Sequence, residues 1–443
     1  MQIPHDELFE FGNFKLSPKE RLLLRGDEAV AVTPKAFDLL VHLVRNSGHL
    51  VSKDDLLKEV WPGTTVEEVN LTVNISALRK ALARGAGADP LIQTVPRHGY
   101  RFVAPVTSHA AAMTHQLTRP KTENPDAYRA YLQGRHHWNL RSEAGLKLAV
   151  ERFGRAIDLD PAFAAAHSGL ADSYATLGSL SHLAPMYAFE LARRHALLAL
   201  ELDPSLAESH ASFGFVKLYF ERDWVGAETE FKHAVALDPD YPATRQWHGI
   251  YLLAAGRPHE ALRELELARK RDPLSVSINT DLGFLHYYTG QYGEAAKQLQ
   301  FVLEMRADFA PAHLWLGRTH QELGQYDAAI AQFRRVEAAQ PEWAVPIAAR
   351  GFVEGIAGRT EDARQTLAEL DQLNNHKFVT SYGVALIHTA LGEIDAAFSW
   401  LDRAMDERSN WLVWLRLDPR WKNLRMDPRF TGLIQRLGFP KMP

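Results

Sequence analysis

The 443-residue chain contains no cysteine. That excludes disulfides, thiolate zinc centres, iron–sulfur clusters and thiol nucleophiles, and it suits a reducing cytoplasm. No apolar run approaches the roughly 18 residues of a membrane span. The opening MQIPHDELFEFG lacks the basic-then-apolar order of a secretory signal. The expectation is a cytoplasmic protein without a membrane segment. Neither sign of charge dominates, since 50 Lys+Arg face 54 Asp+Glu for a net −4, which argues against nonspecific coating of nucleic acid. Catalytic signatures are also missing: there is no GxGxxG after a strand, no GxxxxGK[ST], no HExxH and no GxSxG. No catalytic residue, metal site or cofactor is therefore expected, and the chain does not read as an enzyme. What is present is the composition of a globular protein, 46% hydrophobic and 23% charged, long enough for several domains.

The charge is unevenly placed. Residues 1–106 balance 13 basic against 13 acidic side chains, so the whole net negative charge lies beyond them. Within Asn70–Val103, however, Arg79, Lys80, Arg84, Arg97 and Arg101 meet only Asp89. Residues 107–124, TSHAAAMTHQLTRPKTEN, show no helical or alternating apolar period and read as a linker. Short strand-like runs mixed with helices precede it, and almost uniformly helical windows follow.

The helical part repeats. AIDLDP, ALELDP, AVALDP, ARKRDP and VEAAQP end at Pro161, Pro204, Pro239, Pro273 and Pro341, with Ala307 in the equivalent slot. The spacings between these marks are 43, 35, 34, 34 and 34. Twelve residues before each mark, continued by the same period, stand Ala149, Ala192, Ala227, Ala261, Ala295, Ala329, Ala363 and Ala397; ten after come Gly214, Gly249, Gly283, Gly317 and Gly351. Small residues at fixed places let two helices approach closely, and the proline stops the second helix of each unit. This pattern resembles the tetratricopeptide repeat, in about eight copies over residues 125–409. Residues 410–443 leave the register and read as a cap on the last unit.

The resemblance implies a groove lined by the first helix of each unit, holding an unidentified protein or peptide. The groove positions are Phe215, Ile250, Phe284, Tyr287, Arg318 and Phe352. An equally weighted reading makes them packing residues. The histidines are periodic too: His167, His210 and His313 lie six after a mark, and His286, His320 and His388 thirteen after one, which points to structural roles. His136 and His137 are neighbours on a helix and diverge by about 100°, a poor metal pair.

The first part begins with apolar runs suited to a small antiparallel sheet. Thr33-Pro34 opens a helix whose Phe37, Leu40, Val41 and Val44 share a face, and Ser52 with Asp55 forms an acidic capping box on the next. In EEVNLTVNISALRKALAR, Leu71, Ile75, Leu78 and Leu82 form an apolar back. Val69, Thr72, Val73, Ser76, Arg79 and Lys80 lie toward the front. Such a helix can enter a major groove, and LIQTV-PRHG-YRFV supplies a hairpin with Arg97, His98 and Arg101 at a tight turn.

The order sheet, three helices, basic hairpin, with VSKDDLLKEVW, NISALRKAL and TVPRHGYRF, resembles the winged helix-turn-helix effector domain of OmpR/PhoB regulators. The fold expected is thus an α+β winged helix-turn-helix domain at 1–106, a linker, and an all-α tetratricopeptide solenoid. The arrangement is similar to the soluble, HilA-type joining of the two modules. The resemblance implies sequence-specific binding of double-stranded DNA and control of transcription. Asn70, Thr72, Val73, Ser76, Arg79, Lys80, Arg97, His98 and Arg101 are the expected DNA-binding residues. It also implies contact with RNA polymerase through Trp61, Pro62, Gly63, Thr64 and Thr65. A homodimer on paired half-sites is compatible with this reading. A protein-interaction adaptor that never touches DNA is the alternative, because repeats make up about two thirds of the chain.

Overall fold

The computed structural model describes residues 7–18, 21–25, 28–30, 32–61, 68–83, 91–96, 98–104, 106–110 and 122–441. It separates into two compact units, Met1–Leu117 and Thr118–Pro443. In the first unit the chain order is β1 (Glu7–Phe11), β2 (Phe14–Ser17), β3 (Leu22–Arg25), β4 (Glu28–Ala29), α1 (Pro34–Arg45), β5 (Leu50–Ser52), α2 (Lys53–Val60), α3 (Glu68–Ala83), β6 (Ile92–Val95), β7 (Gly99–Phe102) and β8 (Thr107–Ala110). The strands form two antiparallel sheets, ordered β4-β3-β2-β1-β8 and β5-β7-β6.

Local chemistry sets the helix starts. Thr33 accepts a hydrogen bond from the Ala36 amide, with Pro34 in the first turn of α1. Ser52 accepts from the Asp55 amide at 3.1 Å while its hydroxyl donates to the Asp55 carboxylate at 2.6 Å. Leu71, Ile75, Leu78 and Leu82 of α3 are buried against Phe37, Leu40 and Val44 of α1, in a core that also holds Phe11 and Phe102 in edge contact. Gly99 is required by proximity, since a Cβ there would stand 1.9 Å from the Val51 carbonyl oxygen across the β5–β7 pairing.

One expectation changes here. Thr107–Ala110, read as part of the linker, pairs with β1 in the register Glu7↔Ala110 and Glu10↔Thr107. An edge strand joined through its main chain needs no apolar alternation, so the side-chain pattern did not reveal it.

The second unit contains eight antiparallel helix pairs between Pro125 and Asp406. All eight alanines twelve residues before the repeat marks are fully buried. The glycines ten after the marks sit against the second helix of their pair: a Cβ on Gly249 would meet Leu265 at 2.9 Å, on Gly283 Leu299 at 2.7 Å, and on Gly317 Phe333 at 2.5 Å. The 35-residue spacing of the third copy is absorbed by a π-helical turn at Lys217–Glu221, followed by Arg222 in the left-handed region at φ 57°. The turns between copies are tied by one recurring bond. The side chain six after the mark donates to the carbonyl of the mark residue: His167 to Pro161, His210 to Pro204, Arg245 to Pro239, Asn279 to Pro273 and His313 to Ala307. His286, His320 and His388 each bond the side chain five residues on. These histidines have structural partners.

The array winds back on itself. Trp343 donates to the Leu180 carbonyl, Arg306 to the Leu140 carbonyl, and Lys377 pairs with Glu143. The segment after Asn410 does more than cap the last pair. Trp411 donates to Ser181 Oγ, Asn410 to the Ser179 carbonyl, and Arg416 to the Ala254 carbonyl. Trp414 packs within 4.6 Å of Phe284 and 4.9 Å of Tyr288, and Trp421 donates to Tyr382, whose hydroxyl donates to Asp418. The inner faces of early, middle and late repeats therefore share this segment as core. Among the described residues no helix is long and apolar enough to cross a membrane.

Two expectations follow. Trp414→Ala should cost the second unit about 3–5 kcal/mol, seen as a lower urea midpoint, because it opens a cavity between repeats that nothing else fills. A half-buried carboxylate tests the electrostatics. Burial, opposed by Arg135, lifts Glu208 to about 7 beside Asp172, which Arg135 and Ser212 hold. A raised acid gains stability as pH falls from about 7 toward its unfolded value of 4.5, and disfavours the fold above that window. Glu208→Gln should thus stabilise the protein at pH 8 by up to about 3 kcal/mol, an advantage gone by pH 4.5 in parallel melts.

Candidate nucleic-acid interface

The buried back of α3 dictates which side chains face outward. Val69 and Val73 are 65% and 60% exposed, and Asn70, Thr72, Ser76, Ala77 and Lys80 are exposed with them. Thr72 Oγ1 donates to the Glu68 carbonyl at 3.1 Å, and Asn74 Nδ2 to the Asn70 carbonyl at 2.8 Å. Thr33 Oγ1 donates to Asn74 Oδ1 at 3.3 Å, joining the start of α1 to α3.

The expected basic residues divide. Arg79 is engaged: its Nε and Nη2 donate to the Ile92 carbonyl at 3.0 and 2.9 Å, and Nη2 to Thr94 Oγ1 at 2.6 Å, with the guanidinium 6.0 Å from the Tyr100 ring centre. It clamps α3 to the hairpin β6–β7. Lys80, one residue on, is exposed. His98 is exposed at the hairpin turn, with Nδ1 3.0 Å from the Pro96 carbonyl, and Arg101 is half-buried on β7. The hairpin turn is fixed to α2, because the Lys53 amide donates to the His98 carbonyl while the Lys53 ammonium pairs with Glu68 of α3 at 2.6 Å. That hydrogen bond raises the Lys53 pKa. Helix α3 and hairpin are thus held as one rigid surface by Arg79 and Lys53. Arg97, and Pro62, Gly63, Thr64 and Thr65 of the expected polymerase loop, lie outside the described residues. Trp61, at its start, is half-buried with Lys35 Nζ 5.7 Å from its ring centre.

Sequence reasoning missed the clamp and the weight of Val69. Nothing near Arg79 in the chain announces that its acceptors stand 13 and 15 residues later. Val69 was readable as a front-face residue, and its exposure follows directly from the positions of Leu71 and Ile75.

The expected groove of the array is closed. Phe215, Ile250, Phe284, Tyr287, Arg318 and Phe352 are all buried. Phe215 packs on Trp247 at 4.7 Å, Phe284 on Trp315 and Trp414, and Tyr287 on Trp315. The Arg318 guanidinium packs over both the Trp315 and Trp411 rings, at 4.4 and 4.6 Å from their centres. At Phe284 and Arg318 the cover comes from Trp414 and Trp411 of the protein's own C-terminal segment, which removes apolar surface from water. No group of three or more metal-ligating side chains is found among the described residues.

Residues 27–102 match the family model described as transcriptional regulatory protein, C terminal, and residues 286–349 match a tetratricopeptide repeat model. The transcriptional regulator HilA of Salmonella typhimurium is 22% identical over 411 residues, covering 64% of this chain and 74% of that protein. The transcriptional activator CadC of Escherichia coli is 33% identical over 96 residues, 21% of this chain and 19% of its own length. The phosphate regulon transcriptional regulatory protein PhoB of Escherichia coli is 36% identical over 99 residues, 22% of this chain and 42% of that protein. The first unit is therefore a DNA-binding domain of the OmpR/PhoB winged-helix family, and this chain joins it to a tetratricopeptide repeat array.

Proposed function

We propose that the chain is a sequence-specific, DNA-binding transcription regulator, with residues 1–106 reading duplex DNA and the repeat array at 125–409 answering to a protein partner. The observation that carries this is the rigid surface made by α3 and the β6–β7 hairpin. An exposed helix face of small and apolar groups lies next to Lys80, and the hairpin bearing His98 and Arg101 is locked to it by Arg79 and Lys53. A helix with this face fits a major groove, with the hairpin along the adjoining backbone. Lys80, Arg97, His98 and Arg101 would hold phosphates; Asn70, Thr72, Val73 and Ser76 would meet base edges. The loop from Trp61 to Thr65 is the proposed contact for RNA polymerase, a homodimer the proposed form on paired sites, and the cytoplasm the proposed place of action. The role is binding and not catalysis. A partner of the array would use a surface other than the inner face, which Trp411 and Trp414 occupy.

The roles of adjacent residues separate by experiment. Lys80→Ala should weaken DNA binding by about one phosphate contact, lowering the slope of log affinity against log salt by about 0.9, with the melting curve unchanged. Arg79→Met should behave in the opposite way. It should lower the stability of the protein by about 1 kcal/mol or more, because the Ile92 carbonyl and Thr94 hydroxyl lose their half-buried donor, and leave the salt slope as it was. Fluorescence anisotropy over a salt series and chemical denaturation read the two effects. Absence of DNA binding by the full chain at low salt would reject the reading.

A further inference from the structure

The exposed face of α3 is poor in hydrogen-bonding groups that remain available. Arg79 is committed to the hairpin, the Thr72 hydroxyl to the Glu68 carbonyl, and the Asn74 side chain to the Asn70 carbonyl and Thr33. On the first two turns this leaves the Val69 and Val73 isopropyl groups, 65% and 60% exposed, together with the Thr72 methyl, and on the third the small Ala77. Asn70 and Ser76 are the neighbouring polar side chains. The first turns of that face present no guanidinium to grip guanine with two prongs, as arginine does, and Lys80 lies roughly two turns beyond Val73. The face can read a methyl group. Thymine is the base that presents one in the major groove, and burying each methyl removes apolar surface from water on both sides of the contact.

We infer that Val69 and Val73 form a paired subsite for the 5-methyl groups of two thymines, and that these contacts set the sequence preference of the domain. The inference rests on the DNA-binding reading above and extends it to named bases. The two valines are one helical turn apart, about 6 Å along the axis. Base pairs follow one another at about 3.4 Å, so the two thymines lie about two steps apart in the same half-site. The small side chains of Ser76 and Ala77 leave the next turn free to approach the groove floor. The exposed Asn70 amide, between the valines in sequence, has the geometry to bond an adenine edge, which makes the site rich in A·T pairs. Because both valines are on the solvent side of α3, truncating them leaves the buried Leu71, Ile75, Leu78 and Leu82 untouched.

The test uses the full-length protein. Selection from a random duplex library gives a preferred site, in which each thymine is then replaced singly by uracil, which pairs alike but lacks the methyl. Affinities are measured for the wild type, Val69→Ala and Val73→Ala. At two thymines about two steps apart, uracil should weaken wild-type binding about fourfold, the equivalent of one methyl-sized group at roughly 0.8 kcal/mol. At one of them the loss should vanish in Val69→Ala, and at the other in Val73→Ala, the signature of a direct pair in a double-mutant cycle. An enriched site that is insensitive to uracil, or whose uracil losses persist unchanged in both variants, overturns the inference while leaving DNA binding intact. A library that yields no enriched site overturns the DNA-binding reading and the subsite with it.

Discussion

The close approach of the two helices within each repeat is the constraint on which the second unit depends. At Gly283 and Gly317 the first helix lies so near the second that even a methyl group would meet Leu299 or Phe333 at 2.7 or 2.5 Å, and the buried alanine of every copy lets the helices close on the other side. That distance fixes the shape of each pair, and repetition of one shape at one spacing makes a solenoid. Where the third copy carries one residue more than the period, the surplus is placed in a π turn so that the alanine and glycine contacts stay in register. The recurring side chain that bonds the carbonyl of the mark residue holds successive copies at one angle; histidine, arginine and asparagine all serve, because any donor of suitable reach meets the need.

A solenoid built this way has an apolar inner face, and here that face finds its cover within the same chain. Trp411 and Trp414 bring together aromatic groups from the third, fifth and sixth copies, while the Arg420–Asp418 pair and the Tyr382–Trp421 bond satisfy polar groups in the same region. Arg318 shows how the arrangement changes a residue's meaning. In an open groove it would be a free cation for a ligand carboxylate; packed over two indole rings it is part of the core, and burial lowers its pKa to about 10.

In the first unit a single helix divides labour between its faces. Leu71, Ile75, Leu78 and Leu82 anchor α3, and the same 3.6-residue period leaves Val69, Val73 and Lys80 outside. The neighbours Arg79 and Lys80 illustrate how finely this is cut: a rotation of one residue separates a side chain that braces the hairpin from one that faces solvent. For the proposed recognition of DNA the bracing would matter, since a helix and hairpin held as one body would lose little freedom on meeting a rigid duplex.

The sequence by itself determined the two modules, the repeat period, the buried stripe of each helix and the caps at Thr33 and Ser52, all of which follow from local spacing and single-residue chemistry. Read with the family resemblance, it also pointed to α3 as the helix proposed to face DNA. Only the tertiary structure decided which functional side chains are already engaged. The acceptors of Arg79 lie 13 and 15 residues away, the strand Thr107–Ala110 finds its partner about a hundred residues earlier, and Trp414 fills a space lined by residues up to about two hundred positions back. Periodicity reports which way a side chain leaves its own helix or strand. It carries no record of what the folded chain brings to meet it, and for Arg79, Phe284 and Arg318 that meeting sets the role.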